Sequence, residues 1–262
     1  GAHQDLHSFP TRRSSDLSPT LTHAEHDKVI QAVVKRVAGK VPVIAGTGSN
    51  STAEAIQLTQ HARQTGADGS LQVTPYYNKP TQEGIYRHMA AIAEAVDIPI
   101  VLYNIPGRAG VVMSVETIIR LRKDFPKQIV AVKHATGEMD GASELACQSD
   151  IAILSGDDSM TLPLMSVGGV GVISVIANLL PKETKALTDA ALAGKWTEAL
   201  AHHKKLFGLG KAMLSLETNP IPIKTAMALK GMVAEEFRLP LCPMAPANRE
   251  KLQTILKTAG IV

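Results

Sequence analysis

The chain has 262 residues, 45% of them hydrophobic, with a formal net charge of +3 and only 3% aromatic residues. This length and composition allow a large core, and they provide neither a basic stripe nor a base-stacking surface for nucleic acid. The sequence contains no run of 18 apolar residues, so it predicts no membrane-spanning helix. Cys147 and Cys242 are far apart and lack metal-ligand spacing, which indicates a reduced, cytoplasmic protein.

Residues 1–17 differ from the rest of the chain. They show neither helical nor strand periodicity, and they lack the apolar centre of a signal peptide. Residues 7–17 look like a translated sequencing adapter. We therefore expect residues 1–17 to be a foreign segment that is not part of the fold.

From Ser18 onward, apolar runs alternate with helical patterns. Two capping boxes, Thr22 with Glu25 and Ser51 with Glu54, predict helices that run to about residue 36 and over 51–65. A third helix is predicted over 81–95. Strands are predicted at 41–45, 71–74, 98–103, 129–132, 151–154 and 170–176. Apolar β-branched runs that alternate with helices indicate a parallel sheet covered on both faces.

After Pro181 the pattern contains helices only, at about 182–193, 195–214, 221–231 and 247–258. Trp196 is predicted to belong to the core of this part. We therefore divide the folded chain into an α/β region, 18–180, and a C-terminal helical region, 181–262.

Six strands fit two architectures. An open nucleotide-binding sheet requires a glycine-rich phosphate loop, and Gly46-Thr-Gly-Ser-Asn50 lacks the third glycine and the later acidic residue. A (β/α)8 TIM barrel requires eight strands. Because the foreign segment stands where two earlier strands belong, we predict a TIM barrel that lacks its first strand, first helix and second strand.

Lys133 directly follows the apolar strand 129–132. A lysine held in an apolar pocket has a lowered pKa, and its neutral amine can attack a carbonyl to form a Schiff base. A lysine at the end of a strand can instead reach to solvent. The segment alone leaves both interpretations open.

The other strand ends carry further polar groups, which in TIM barrels build the active site. Asp157 and Asp158 offer carboxylates for magnesium, but adjacent residues at a strand end point in different directions. We therefore expect no metal. The strand-end segments are Gly46-Thr-Gly-Ser-Asn50, Thr74-Pro-Tyr-Tyr-Asn78, Tyr103-Asn-Ile-Pro-Gly-Arg108, Lys133-His-Ala-Thr-Gly137, Ser155-Gly-Asp-Asp158 and Ser174-Val-Ile-Ala-Asn178.

From about Ser18 to Val262, the chain resembles the dihydrodipicolinate synthase (4-hydroxy-tetrahydrodipicolinate synthase) family. The motifs that carry the resemblance are Thr74-Pro-Tyr-Tyr-Asn78, Tyr103-Asn-Ile-Pro-Gly-Arg108, Val132-Lys-His-Ala-Thr-Gly137, Leu154-Ser-Gly-Asp-Asp158, Gly171-Val-Ile-Ser-Val175 and Asn219-Pro-Ile-Pro222. The resemblance implies a lyase of lysine (diaminopimelate) biosynthesis. Lys133 would form an imine with pyruvate, and the enamine would attack L-aspartate 4-semialdehyde. No cofactor beyond this covalent imine is implied.

The resemblance also implies roles for other residues. Tyr103 and Tyr77 match two proton-relay tyrosines, and the second reaches a neighbouring subunit in a homotetramer that is a dimer of dimers. Arg108 matches the group that binds the semialdehyde carboxylate, while Gly156 and Ile173 match the pyruvate pocket. A pocket for L-lysine as feedback inhibitor is implied at Ser18, His23, His26, Asn50, Glu54 and Tyr76.

Without the resemblance, each of these residues has a simpler interpretation. Tyr103 would be a packed tyrosine, and Tyr76 with Tyr77 a hydrophobic turn. Arg108 would be a solvated loop residue, and the two histidines would lie on the surface of an ordinary helix.

Two departures from the family pattern bear on activity. His134 stands where many members carry glutamate. Ser14-Ser-Asp-Leu17 stands where the family has Thr-Thr-Gly-Glu, whose first threonine completes the hydroxyl relay. We therefore expect weak or no activity from this chain.

Three alternatives remain open from the sequence. One is a sibling aldolase of the same superfamily, an N-acetylneuraminate lyase or a keto-deoxy-sugar-acid aldolase. The second is a non-catalytic fragment whose sheet cannot close. The third is a nucleotide-binding open α/β protein.

Overall fold

The structure is a computed structural model that describes residues 18–262. The predicted foreign segment, 1–17, lies outside the described residues. In the described part, the strands are β1 Ile44–Gly46, β2 Gly69–Val73, β3 Ile100–Asn104, β4 Ile129–His134, β5 Ala152–Ser155 and β6 Gly171–Val172. The helices are α1 His23–Val37, α2 Thr52–Thr65, α3 Gln82–Ala95, α4 Pro106–Ala109, α5 Val115–Asp124, α6 Met139–Gln148, α7 Thr161–Ser166, α8 Pro181–Leu192, α9 Trp196–Ser215, α10 Ile221–Leu229 and α11 Pro246–Thr258.

The six strands form one sheet in sequential order, β1-β2-β3-β4-β5-β6. The pairs from β1 to β5 are all parallel. A helix follows each of β1 to β5 before the next strand begins, as parallel pairing requires. The prediction of a parallel α/β sheet is therefore confirmed, and the carboxyl ends of its strands lie at one edge.

Strands β1 and β6 are at least two residues shorter than predicted, because side chains outside each strand bind backbone amides that the prediction placed within it. β1 begins at Ile44 rather than residue 41, because the Val43 amide donates to Asp68 Oδ2 at 2.7 Å. β6 ends at Val172 rather than residue 176, because the Val175 and Ile176 amides donate to Asp158 Oδ2 at 2.9 and 3.1 Å. These bonds bend the chain into a 3-10 turn at Ile176–Asn178.

The helix boundaries agree closely with the sequence pattern, but the second capping box is only half formed. Ser51 caps α2 by accepting a bond from the Glu54 amide at 3.5 Å. The reciprocal bond is absent among the described residues, since the Ser51 amide donates to Ser49 Oγ at 3.1 Å and the Glu54 carboxylate accepts from Ser49. The reciprocal half of that prediction is wrong.

The described residues form two compact units. One comprises His23–Gly156 and Pro163–Gly171; the other includes Asp157–Leu162 and Val172–Val262. The first has a large core centred on Ile85, Leu102 and Val132, and the second has its own core with Leu187, Met213 and Leu252. The predicted boundary after residue 180 divides the chain at a different place from these two units, and it stays a prediction.

Trp196 differs from the expectation. It is 45% exposed, because it opens α9 directly after the turn at Gly194, which has a φ of 72°. The prediction that Trp196 belongs to the core is wrong. The helices within residues 18–262 include no candidate membrane span.

Candidate active site

Lys133 is the largest fully buried side chain among the described residues, with 0% exposure. It lies near the end of β4, where it pairs with Tyr103 of β3 and Leu154 of β5. Its Nζ lies 3.6 Å from the centroid of the Tyr103 ring. Because burial removes water from an ammonium group, this position favours the neutral amine. The solvent-reaching interpretation of Lys133 is wrong.

Tyr103 is held from its other side by the end of β2. The Thr74 amide and the Thr74 hydroxyl both donate to the Tyr103 carbonyl oxygen at 3.0 Å. Thr74 is itself fully buried. From the sequence, Thr74 was only the first residue of a motif and had no predicted role. The structure shows that Thr74 fixes the backbone of Tyr103.

Tyr76 and Tyr77 form an exposed turn after β2. Tyr77 is 90% exposed and has a φ of 69°. The Asn78 amide donates to the Tyr76 carbonyl oxygen at 2.8 Å, so Tyr77 is the central residue of a γ-turn with positive φ. This conformation is rare and strained for a residue with a side chain. Tyr77 is thus directed to solvent, whereas Lys133 is fully buried.

Arg108 lies in α4, one short turn after β3, and its side chain is exposed. The loop around it is fixed by Asn104, whose Nδ2 donates to the Met113 carbonyl at 2.7 Å and whose Oδ1 accepts from the Met113 amide at 3.0 Å. Asn104 is a residue whose role the sequence missed. Its amide bridges the two ends of the loop that carries Arg108.

Gly156 follows β5, and its amide donates to the His134 carbonyl oxygen at 2.7 Å. A Cβ at this position would stand 2.4 Å from the Ala135 Cβ, closer than real Cβ atoms approach. The close contact between the ends of β4 and β5 therefore requires glycine. Ile173, in the other unit, is buried at 3% exposure.

Asp158 has a structural role in its own unit. Its carboxylate accepts bonds from the Ser174 hydroxyl and from the Val175 and Ile176 amides. These donors occupy both carboxylate oxygens. Over residues 18–262, no group of three or more His, Cys, Asp or Glu side chains is arranged to hold a metal ion.

The loop after β1 contacts residues predicted for the L-lysine pocket. His23 Nε2 lies 2.9 Å from Glu54 Oε1, and His26 Nε2 donates to the Gly46 carbonyl at 2.9 Å. Asn50 Nδ2 donates to the Tyr76 carbonyl at 3.2 Å. The structure thus pairs His23 with Glu54 and Asn50 with Tyr76. Ser18 opens a 3-10 turn in the other unit.

The glycine pattern in this loop has a packing explanation. A Cβ on Gly48 would lie 2.5 Å from the Val73 amide nitrogen. Close approach of the loop to β2 therefore accounts for Gly48, and a phosphate loop is not needed to explain it.

His134 is buried, and its imidazole organises the loop after Lys133. Nε2 lies 2.9 Å from the Glu138 carbonyl oxygen and 2.8 Å from Thr136 Oγ1. Thr136 Oγ1 also accepts from the Glu138 amide at 3.1 Å. The histidine that departs from the family pattern therefore closes a ring of bonds across this loop.

Known proteins match this chain over most of its length. The model of the dihydrodipicolinate synthetase family matches residues 14–259. A curated 4-hydroxy-tetrahydrodipicolinate synthase from Geotalea daltonii is 55% identical over 247 residues, which cover 94% of this chain and 84% of that protein.

Solved structures give the same result. Dihydrodipicolinate synthase from Aquifex aeolicus aligns with a TM-score of 0.92 and 50% identity, over 95% of this chain and 85% of that one. The Acinetobacter baumannii synthase complexed with pyruvate aligns with a TM-score of 0.90 and 44% identity, and the Cyanidioschyzon merolae enzyme with lysine bound with 0.90 and 41%. Both cover 94% of this chain and 84% of the other chain.

These likenesses establish a TIM-barrel-like α/β fold for the described sheet and helices. They also favour the synthase prediction over the sibling aldolases and the nucleotide-binding protein. The chain belongs to the dihydrodipicolinate synthetase family.

Proposed function

We propose that this chain condenses pyruvate with L-aspartate 4-semialdehyde, the reaction of a 4-hydroxy-tetrahydrodipicolinate synthase, through an imine on Lys133. The observation that carries the proposal is the fully buried Lys133, with its Nζ 3.6 Å from the Tyr103 ring centroid. A buried neutral amine is a nucleophile for the keto carbon of pyruvate. Loss of water then gives the imine, and no metal or organic cofactor takes part.

Proton transfer is the task we assign to the tyrosines. The imine must lose a proton from the pyruvate methyl group to become an enamine, and the enamine carbon then bonds to the aldehyde carbon. Tyr103, whose ring lies beside the amine, is proposed to exchange these protons. Tyr77, 90% exposed, is proposed to act outside its own unit, in the site of a neighbouring subunit.

Substrate binding is assigned to the strand-end loops. Arg108, exposed on the short helix after β3, is proposed to bind the semialdehyde carboxylate, because a guanidinium offers two parallel donors. Gly156 is proposed to line the pyruvate pocket, because its amide bonds to the His134 carbonyl at the end of β4, the strand that carries Lys133. Ile173 is proposed to contribute its backbone to pyruvate binding.

Borohydride trapping tests the central step. The chain is incubated with pyruvate and sodium borohydride, and the intact mass and the peptide containing Lys133 are measured. We expect one reduced pyruvate adduct on Lys133 and none in Lys133→Arg, whose guanidinium is not a nucleophile and cannot form the imine. An unlabelled Lys133 in folded protein would end the proposal.

Turnover is a separate measurement, because the sequence predicts weak or no activity. Semialdehyde and N-acetylmannosamine are supplied in parallel as acceptors. Turnover with the sugar alone would favour a sibling aldolase. Adduct formation without turnover would agree with the predicted weak activity, whereas normal turnover would contradict that prediction.

We also propose L-lysine as a regulatory ligand of the loop after β1. The support is the His23–Glu54 pair and the Asn50–Tyr76 bond, which place a carboxylate and an exposed aromatic ring near the same loop. His26 belongs to the same proposed set. Ser18, in the other unit, is proposed separately as a lysine ligand. Calorimetric titration with L-lysine, compared between the parent chain and Glu54→Gln, tests this site. Equal affinity in both would exclude Glu54 as a ligand for the lysine ammonium.

The quaternary structure and topology are proposals as well. We propose a homotetramer, in agreement with the exposed Tyr77, and light scattering measures its mass. We propose that the six described strands are the third to eighth of a (β/α)8 barrel, followed by the helices from α8 onward. We propose a cytoplasmic location, supported by the free, exposed Cys147 and Cys242.

A further inference from the structure

The turn at Tyr77 has a backbone conformation that its own sequence does not favour. Tyr77 combines a φ of 69° with 90% side-chain exposure. A tyrosine gains nothing from this conformation by packing within its own unit. Strained backbone of this kind persists only where neighbouring groups hold it, and it is concentrated at functional positions.

Two asparagine amides hold the turn. Asn78 donates twice, from its backbone to the Tyr76 carbonyl at 2.8 Å and from Nδ2 to the Asn50 carbonyl at 3.0 Å. Asn50 returns a bond from its own Nδ2 to the Tyr76 carbonyl at 3.2 Å. The loop after β1 and the loop after β2 are therefore joined on both sides of Tyr77.

We propose that Asn78 is a positioning residue for the reaction, acting by fixing the direction in which the Tyr77 side chain leaves the turn. This inference rests on the proposed relay role of Tyr77. A relay hydroxyl must stand within hydrogen-bond distance of its partner, and a displacement of about 1 Å costs on the order of 100-fold in rate. A flexible turn would not keep that distance.

Because Asn78 lies on the surface, the effect of its substitution on turnover can be separated from an effect on folding. Asn78 is exposed, and its side-chain bond joins two surface loops. Loss of this bond should leave the core residues of the unit in place. A change in turnover with unchanged melting temperature would therefore report on Tyr77 rather than on the stability of the fold.

A double-mutant cycle tests the proposal, with Asn78→Ala, Tyr77→Phe and the double variant. We expect Asn78→Ala to lower both kcat and the rate of deuterium exchange into the pyruvate methyl group, which needs no full turnover, by about 10-fold, within the range that small misplacements produce. KM for pyruvate and borohydride trapping on Lys133 should be unchanged. The double variant should have the kcat of Tyr77→Phe, because both changes act through one hydroxyl.

Two further variants serve as controls for the double-mutant cycle. Asn78→Asp keeps the size of the side chain but removes its N–H donors, so it should resemble Asn78→Ala. Lys79→Ala, an exposed neighbour in the same loop, should keep the parent kcat.

The outcomes separate the two proposals. A parent kcat in Asn78→Ala, together with a reduced kcat in Tyr77→Phe, overturns the positioning role and leaves the relay intact. Additive losses in the double variant also overturn it, since Asn78 would then act elsewhere. A parent kcat in Tyr77→Phe overturns the relay role itself.

Discussion

Thr74 donates its hydroxyl to the carbonyl oxygen of Tyr103 at 3.0 Å, across two neighbouring parallel strands. The Thr74 amide donates to the same oxygen. Two donors on one carbonyl fix the backbone of the residue whose ring lies against the Lys133 amine. The geometry of the reactive pair is therefore set partly by a third strand.

The first prediction concerns this bond. Thr74→Val keeps the shape of the side chain but removes the hydroxyl, so Tyr103 retains only its backbone donor. We expect a loss of about 1 kcal/mol in the free energy of unfolding, together with a several-fold lower kcat, measured by urea denaturation and steady-state kinetics. Thr74→Ser keeps the donor and should stay close to the parent. A lower kcat in the serine variant alone would contradict this explanation.

The second prediction concerns Arg122, which is buried at the end of α5. Its Nε and Nη2 donate to the two oxygens of Asp150 at 2.8 and 2.7 Å, and its Nη1 donates to the Pro126 and Ile129 carbonyls at 2.5 and 2.9 Å. Hydrogen bonding to Asp150 raises the pKa of Arg122 further above its usual value. Lysine cannot supply this planar set of donors. We expect Arg122→Lys to lower the free energy of unfolding by about 2 kcal/mol.

Arg87→Lys is the matched control for this change. Arg87 pairs with Glu83 at 2.8 Å, but its side chain is 78% exposed. An exposed i,i+4 pair contributes about 0.5 kcal/mol or less. Equal destabilisation by the two substitutions would show that the buried carbonyls do not matter.

The third prediction concerns pH. Burial lowers the pKa of His88 from an ordinary value of 6.5 to about 4, while Thr52 Oγ1 lies 2.9 Å from its Nδ1. Between these values the unfolded chain binds a proton that the folded chain does not, so stability is full above pH 6.5 and falls as the pH is lowered toward 4. We expect a loss of about 3 kcal/mol over this window.

Chemical denaturation at a series of pH values measures this loss. In His88→Gln, which stays neutral throughout, the slope between pH 6.5 and 4 should be smaller than in the parent. A parent slope equal to that of the glutamine variant would show that His88 titrates normally.

The fourth prediction concerns Asp158, whose carboxylate accepts from the Ser174 hydroxyl and from the Val175 and Ile176 amides. Asp158→Asn keeps the size of the side chain but removes its charge and one acceptor, so the Ser174 hydroxyl must accept a bond where it now donates one. We expect a loss of about 2 kcal/mol in the free energy of unfolding. Added magnesium should not stabilise the parent chain. Asp140→Asn, an exposed position, should change stability by about 0.5 kcal/mol or less.

The sequence alone determined the order of strands and helices, because β-branched apolar runs, helical periodicity and capping residues are local signals. It also placed Lys133 at the end of its strand, since the apolar run 129–132 ends there. Strand ends were less well predicted. The Asp158 carboxylate, which lies outside β6, shortens that strand by accepting from the Val175 amide. The Asp68 carboxylate shortens β1 in the same way by accepting from the Val43 amide.

Only the tertiary structure decided how the site is held. Thr74 with Tyr103 and Asn78 with Asn50 are joined across 29 and 28 residues of chain, and no local pattern encodes such pairs. The burial of Lys133 likewise depends on the neighbouring strands β3 and β5, which folding brings beside it. Side-chain hydrogen bonds and desolvation depend on which groups lie close together in space. The sequence therefore shows which residue types are present at the site, but only the folded structure determines their geometry.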